Sequence, residues 1–277
     1  MKVTKFSGEL VLFDKEKLQH SLRKSGADED AVFQVMHEID KQLYEGIPTK
    51  KIYKLAFQLL KNFSNAHAAR YNLRSAVQAL GPAGFYFEKF IAKLFELEGY
   101  QTQTNLILDG KCISHEVDVL LKKENLVSMI ECKFHGNQDA KSDVKVPLYI
   151  LSRFNDLKGN NFSVFNANYQ ISQCWIVTNN RFTDDAIKFA TCSNLSLLSW
   201  DYPKGNSLRN KIDAAQIYPV TCLTTLTQLE KDKLLMQELI TVKDLIKRSE
   251  WLSKIGLSKN RIKNCLNEAN QLCNVIY

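Results

Sequence analysis

Residues 116–136 read EVDVLLKKENLVSMIECKFHG, two apolar runs on either side of Glu124-Asn125. Short runs of this kind around a tight turn specify a β-hairpin deep in a sheet. Yet Glu116, Asp118, Glu131 and Lys133 stand within or beside the runs. Charged side chains are seldom fully buried unless they are paired or hold a metal. A two-residue loop at Glu124-Asn125 sets Asp118 opposite Glu131 and Glu116 opposite Lys133. Alternation then puts all four on one face of the sheet. Directly opposed Cβ atoms lie ~4.5–5.5 Å apart, so two facing carboxylates either share a cation or repel until one keeps its proton. A hard divalent cation suits such oxygen donors, and it can activate water or stabilise charge on a phosphate. The plainer alternative is a cross-strand salt bridge between Glu116 and Lys133 in an ordinary hairpin.

The rest of the chain gives this hairpin its setting. Its 277 residues suffice for about two domains. Hydrophobic residues make up 45% and charged ones 24%, an ordinary globular balance. No run reaches the ~18–20 apolar residues of a membrane span, and the N-terminus lacks the apolar core of a signal peptide. A cytoplasmic protein with no membrane partner is expected. The seven cysteines are odd in number and show no C-x-x-C spacing, which argues against a disulfide framework or a structural zinc. The net charge of +7 permits a polyanionic partner without demanding one.

Residues 1–15 read as two short strands about Ser7-Gly8, followed by amphipathic helices that stop at Gly81-Pro82. Beyond that stop the elements run α-β-β-β-α-β-α-β, with Asp109-Gly110 marking a hairpin turn. This order predicts an α/β fold on a mixed sheet. After Pro219 the composition turns helical again. The expected domains are 1–82, 83–205 and 220–277.

Strand-borne EVDVLL followed by MIECKF resembles the signature of the PD-(D/E)XK nucleases, and GPAGFYFEKFIAKLFELEGYQTQ resembles the opening helix of the Mrr-type restriction endonucleases. WIVTNNRFTDDAIKFATCSNLSLLSWD is similar to that branch's later strand-helix-strand. The resemblance implies a restriction-endonuclease-like core. It assigns Asp118, Glu131 and Glu88 to Mg²⁺ or Mn²⁺ and Lys133 to the attacking water or the phosphate. Glu88 read by itself is equally a solvated or capping carboxylate of its helix. His135 reads as a neutral bystander, and Asp143 and Lys145 stand where relatives carry an auxiliary polar residue.

The first 80 residues resemble the ATP-cone, a regulatory nucleotide-binding domain, through Val3-x-Lys5, Gly8, Phe13, EKL at 16–18, IPTKKIY at 47–53 and AARYNL at 68–73. Carried over residue by residue, Lys5, Lys17, Thr49, Tyr53 and Arg70 contact ATP or dATP, held as an effector. Phe6-Ser7 stand where that family has Arg-Asp, which removes a bidentate phosphate donor. The last helices resemble a degenerate helix-hairpin-helix about Ile255-Gly256-Leu257, with Ser258, Lys259, Asn260 and Arg261 toward DNA phosphates. A packing or dimerisation tail is the alternative, and Trp251 reads as core. The expectation is a nucleotide-regulated, Mg²⁺-dependent DNA endonuclease. Cutting both strands with one centre per chain favours a homo-oligomer. The alternative is a non-catalytic DNA-binding or nucleotide-sensing regulator on a decayed nuclease fold.

Overall fold

The computed structural model describes residues 1–5, 7–81 and 84–273. Phe6, Pro82 and Ala83 lie outside these, and with them part of the altered ATP-cone motif and the expected boundary at 82–83. The chain divides into two compact units, Val77–Pro219 and a second formed by Met1–Ala76 together with the residues from Val220 onward. The C-terminal helices fall in the same compact unit as the N-terminal segment.

In that composite unit Lys2–Thr4 pairs antiparallel with Leu10–Leu12 and parallel with Ile47–Pro48. Helices Lys15–Lys24, Glu29–Asp40 and Thr49–Phe63 close over the small sheet through Leu22, Val35, Ile39, Ile47, Ala56 and Leu60. The C-terminal helices join this unit by polar ties. Arg70, buried on the Asn65–Tyr71 helix, donates to the Leu272 carbonyl at 3.0 Å. The Thr221 hydroxyl donates to the Ala76 carbonyl at 2.6 Å. Buried Glu268 accepts from the Thr224 and Thr225 amides at 2.7 and 3.0 Å.

The other unit is built on a five-stranded mixed sheet. Its strand order is Ser196–Leu198, Ile171–Thr178, Leu126–Lys133, Ser114–Lys123 and Gln101–Asp109. The first three are parallel and the last two antiparallel to their neighbours. Helix Phe85–Leu97 opens the unit on Gly84, whose φ of +88° is easy only for glycine. That helix buries Phe87, Phe90, Ile91, Leu94 and Phe95. Helix Lys145–Leu157 contributes Ile150, Phe154 and Leu157 to a core shared with Val127, Met129 and Ile176.

The turn at Asp109-Gly110 is longer than its dipeptide signal implies, because Asp109 pairs with Ser114 and leaves four loop residues. Asp156 holds this loop, accepting from the Cys112 amide at 2.9 Å and lying 2.8 Å from His115 Nε2. These contacts hold Asp156 down at about 2, His115 foremost. A Cβ on Gly110 would land 2.1 Å from Asp156 Oδ2 and 2.6 Å from the Ile113 carbonyl. Gly110→Ala is therefore expected to destabilise the protein by ~2–4 kcal/mol. Its denaturation midpoint should fall, while that of Gly136→Ala, whose added carbon meets nothing within 4 Å, should not move.

Candidate active site

The hairpin takes the register its loop requires, from Lys123 opposite Leu126 to Val119 opposite Ile130. There the ladder ends, so Asp118 and Glu131 are not a paired couple. On the other side, Thr104 pairs with Val119 and Leu106 with Val117, so this ladder also passes Asp118 by. Asn105 and Asp118 are the one couple this ladder skips, and the register is the same on both sides of them. Opposite Asp118, Asn105 takes a left-handed φ of 55° and extends its amide to Glu88 at 3.4 Å.

Left out of both ladders, the Asp118 side chain takes the place of a missing strand partner. Its carboxylate accepts the Cys132 backbone N–H at 2.7 Å. Beyond Ile130 the neighbouring strand keeps only its parallel partner, with Glu131 opposite Ile176 and Lys133 opposite Thr178. Glu131 follows Val127 and Met129 onto the face covered by helix Lys145–Leu157 and is 4% exposed. Two cations meet it there. Arg153 donates to Oε2 at 2.6 Å, and Lys133 Nζ lies 3.4 Å from Oε1. The second Arg153 amine donates to the Glu116 carbonyl, two residues before Asp118. Arg153 was not visible in the sequence as a site residue; its one signal was an arginine on the inner face of a helix otherwise apolar there.

Four acids share this neighbourhood. Burial foremost, then the adjacent Glu131, pushes Asp118 up to about 7. Glu88 is raised by burial, against the Asn105 hydrogen bond, with Glu116 and Glu131 adding to the rise. Glu88, Asp118, Glu131 and Lys133 are thus brought together, while Glu116 is exposed and Lys133 pairs with Glu131 instead. No group of three His, Cys, Asp or Glu among the described residues forms a ready metal cage. The chemistry nonetheless fits a hard divalent cation, since the donors are carboxylates and Asp118 is held toward its neutral form by burial and then by the neighbouring Glu131.

Lys133 is aimed from both sides of its own backbone. Its carbonyl accepts the Thr178 hydroxyl at 2.7 Å. Next to it the Phe134 ring packs at a tilt with its centre 5.6 Å from that of Phe87 and fills the space beside Gly81, where a Cβ would come within 2.5 Å. Asn179 accepts from the His135 amide at 2.8 Å and donates to its carbonyl at 2.9 Å. Burial and Lys133 lower His135, whose Nε2 is 2.8 Å from the Ser142 hydroxyl. His135 is therefore a neutral structural group in this loop. Asp143 accepts from the Lys145 amide at 3.0 Å and shapes the start of the next helix.

The residues assigned to a nucleotide lie in the other unit. Thr4 pairs with Pro48, so Lys5 and Thr49 leave the same end of the small sheet. Lys5 is exposed and ion-paired with Glu9 at 2.9 Å, and Lys17 is exposed on its helix. Tyr53 donates to Asn72 Oδ1 at 2.7 Å and stacks on Tyr71, while Arg70 is occupied by Leu272. In the last helices Arg261 is bound by Glu230, at 2.8 Å, and by the Thr225 carbonyl, which removes it from the expected phosphate contacts. Trp251 is half-buried rather than core, with Lys254 Nζ 4.3 Å from its ring centre.

The family described as "Restriction endonuclease" matches residues 82–202, and "AF1548-like, C-terminal" matches residues 218–273. An uncharacterized protein of Archaeoglobus fulgidus is 31% identical over 186 residues, covering 66% of this chain and 99% of the relative. The crystal structure of AF1548, a protein of unknown function, superposes with a TM-score of 0.55 at 29% identity over 68% of this chain and 97% of that one. Can2 from Sulfobacillus thermosulfidooxidans, solved with cyclic tetra-adenylate, overlaps at a TM-score of only 0.32 and 15% identity, covering 66% of this chain and 50% of Can2.

The raised Asp118 makes stability depend on pH. Its folded value of about 7 lies above the ~4 of an unfolded aspartate, so the native state holds the proton more tightly. Stability is full below pH ~4 and falls as pH rises through 7. The full shift corresponds to ~4 kcal/mol, less in practice with water nearby. In metal-free buffer Asp118→Asn should melt several degrees higher than wild type at pH 8, and the advantage should vanish near pH 4. Equal melting at both pH values would mean that Asp118 is ionised without strain.

Proposed function

The chain belongs to the AF1548-like family, with a restriction-endonuclease-like domain at its centre, and we propose that this domain is a divalent-metal-dependent DNA endonuclease. The observation that supports this most is the convergence of Asp118, Glu131 and Lys133 at the point where the central hairpin parts, with Glu88 joining from the opening helix. Burying this many acids is costly in a structural hairpin and useful in a metal site.

Glu88, Asp118 and Glu131 would hold Mg²⁺ or Mn²⁺, which supplies Lewis acidity toward a phosphate and lowers the pKa of a bound water. The chain's own groups have separate tasks. The Cys132 amide fixes the direction of Asp118. Lys133, with its side chain 36% exposed, can reach a phosphate oxygen or orient water while its backbone is held by Thr178. Apolar Met129, Ile130 and Val119 anchor the hairpin below the site.

The N-terminal segment would carry ATP or dATP as an effector, with Lys5, Thr49 and Lys17 toward its phosphates. Lys5 and Thr49 leaving one sheet end supports that assignment. Tyr53 and Arg70 act through packing, since their polar groups meet Asn72 and Leu272. A dimer would place two centres on one duplex.

One observation favours a non-catalytic regulator instead: Glu131 is already neutralised by Arg153. Plasmid nicking separates the two. With Mg²⁺, alone or with ATP or dATP, wild type should relax supercoiled DNA, and Lys133→Ala should be slower by ~10²-fold or more. Intact plasmid with wild type under every condition would sink the enzyme reading. For the effector, ATP or dATP should raise the melting temperature of wild type but not of a Lys5→Ala, Thr49→Ala double variant.

A further inference from the structure

We propose that Arg153 is a built-in counter-ion that competes with a divalent cation for Glu131 and offsets the charge of the acid cluster when no metal is bound. The inference rests on the reading of Glu131 as a metal-binding carboxylate and adds a residue that neither motif nor spacing assigns.

The guanidinium is engaged on three sides. One amine meets Glu131 Oε2 at 2.6 Å, the other meets the Glu116 carbonyl, and the plane lies 5.6 Å from the Tyr149 ring centre. The Arg153 side chain is only 12% exposed and that of Glu131 only 6%. A buried ion pair of this kind is a poor way to gain stability, because desolvation consumes most of the attraction. It is a good way to stop buried carboxylates from repelling. Lys133 is the weaker companion, at 3.4 Å from the other oxygen. With both oxygens of Glu131 facing cations, Arg153 must give way or share before Glu131 can serve a metal.

The charge balance sets the direction of the effect. Glu88, Asp118 and Glu131 face Arg153 and Lys133. Neutralising Arg153 makes the cluster more negative by one charge, which strengthens its attraction for a divalent ion. A purely structural arginine predicts the opposite, since losing it would disorder Glu131 and weaken binding.

The test is Mn²⁺ binding to the full chain, by isothermal titration and by loss of the free-ion electron paramagnetic resonance signal, without DNA. Arg153→Met should bind Mn²⁺ at least ~10-fold more tightly than wild type, and Arg153→Lys should return toward wild-type affinity. Arg153→Gln, which can still donate to Glu116, serves in place of the methionine variant should that one unfold, and it too should bind more tightly. Equal or weaker binding by folded, charge-neutral variants overturns the inference and leaves the metal-site reading standing. No Mn²⁺ binding by wild type or any variant overturns both, and Glu131→Gln reports the background.

Discussion

The hydrogen bond from the Cys132 amide to the Asp118 carboxylate is the hinge of the nuclease-like unit. A central strand can expose a functional side chain only if it stops pairing somewhere, and an unpaired buried amide is costly. Here the side chain that leaves the ladder is the one that satisfies the amide left behind. The strand pair can therefore part after Val119 and Ile130 without an orphaned donor at Cys132. Asn105, bent into the left-handed region opposite the same point, absorbs the mismatch on the other side and turns its amide toward Glu88.

Helix Lys145–Leu157 braces the start of the strand that carries Asp118. Arg153 reaches the Glu116 carbonyl and Glu131, while Asp156, one turn further on, gathers the Cys112 amide, the Ile113 amide and His115. A spacing of three puts the two side chains on neighbouring tracks of one helix. One anionic and one cationic anchor on a single rigid element fix the strand in position and register, which is what a site demanding sub-ångström placement needs. Hydrophobic packing through Ile150, Phe154 and Leu157 seats the helix but has no directional preference of this kind.

Much of this was legible in the sequence because it follows from local rules. A two-residue loop at Glu124-Asn125 fixes the hairpin register, and the pairs from Val119 to Lys123 obey it. The misplaced acids flagged the site. The departure at Asp118 was not legible, because alternation presumes an unbroken ladder and the break depends on Asn105 from another strand. Arg153 was hidden for a related reason, being 22 residues from Glu131 and embedded in a helix that looks merely amphipathic. Thr178, Asn179 and Asn180, from the end of the neighbouring strand, hold the Lys133–Asn137 segment by side-chain bonds that no local pattern announces. Gly81 read as a helix stop, and it also leaves the space that Phe134 occupies. The docking of the C-terminal helices onto Arg70 spans 202 residues and carries no periodic signal at all.

Charge clarifies why Glu131 and Asp118 differ although both are carboxylates in one cluster. Glu131 lies deeper but faces Arg153 and Lys133, so its negative charge is answered. Asp118 accepts from the neutral Cys132 amide and lies buried beside Glu131, so burial and repulsion outweigh what favours its charge. The centre is thereby polarised into an arm paired with two cations and an arm that holds its proton near neutrality. A cation arriving between the two would gain most from Asp118, whose proton it would displace, and would have to contest Glu131 with arginine. The asymmetry arises from the partners each acid meets, not from the acids themselves.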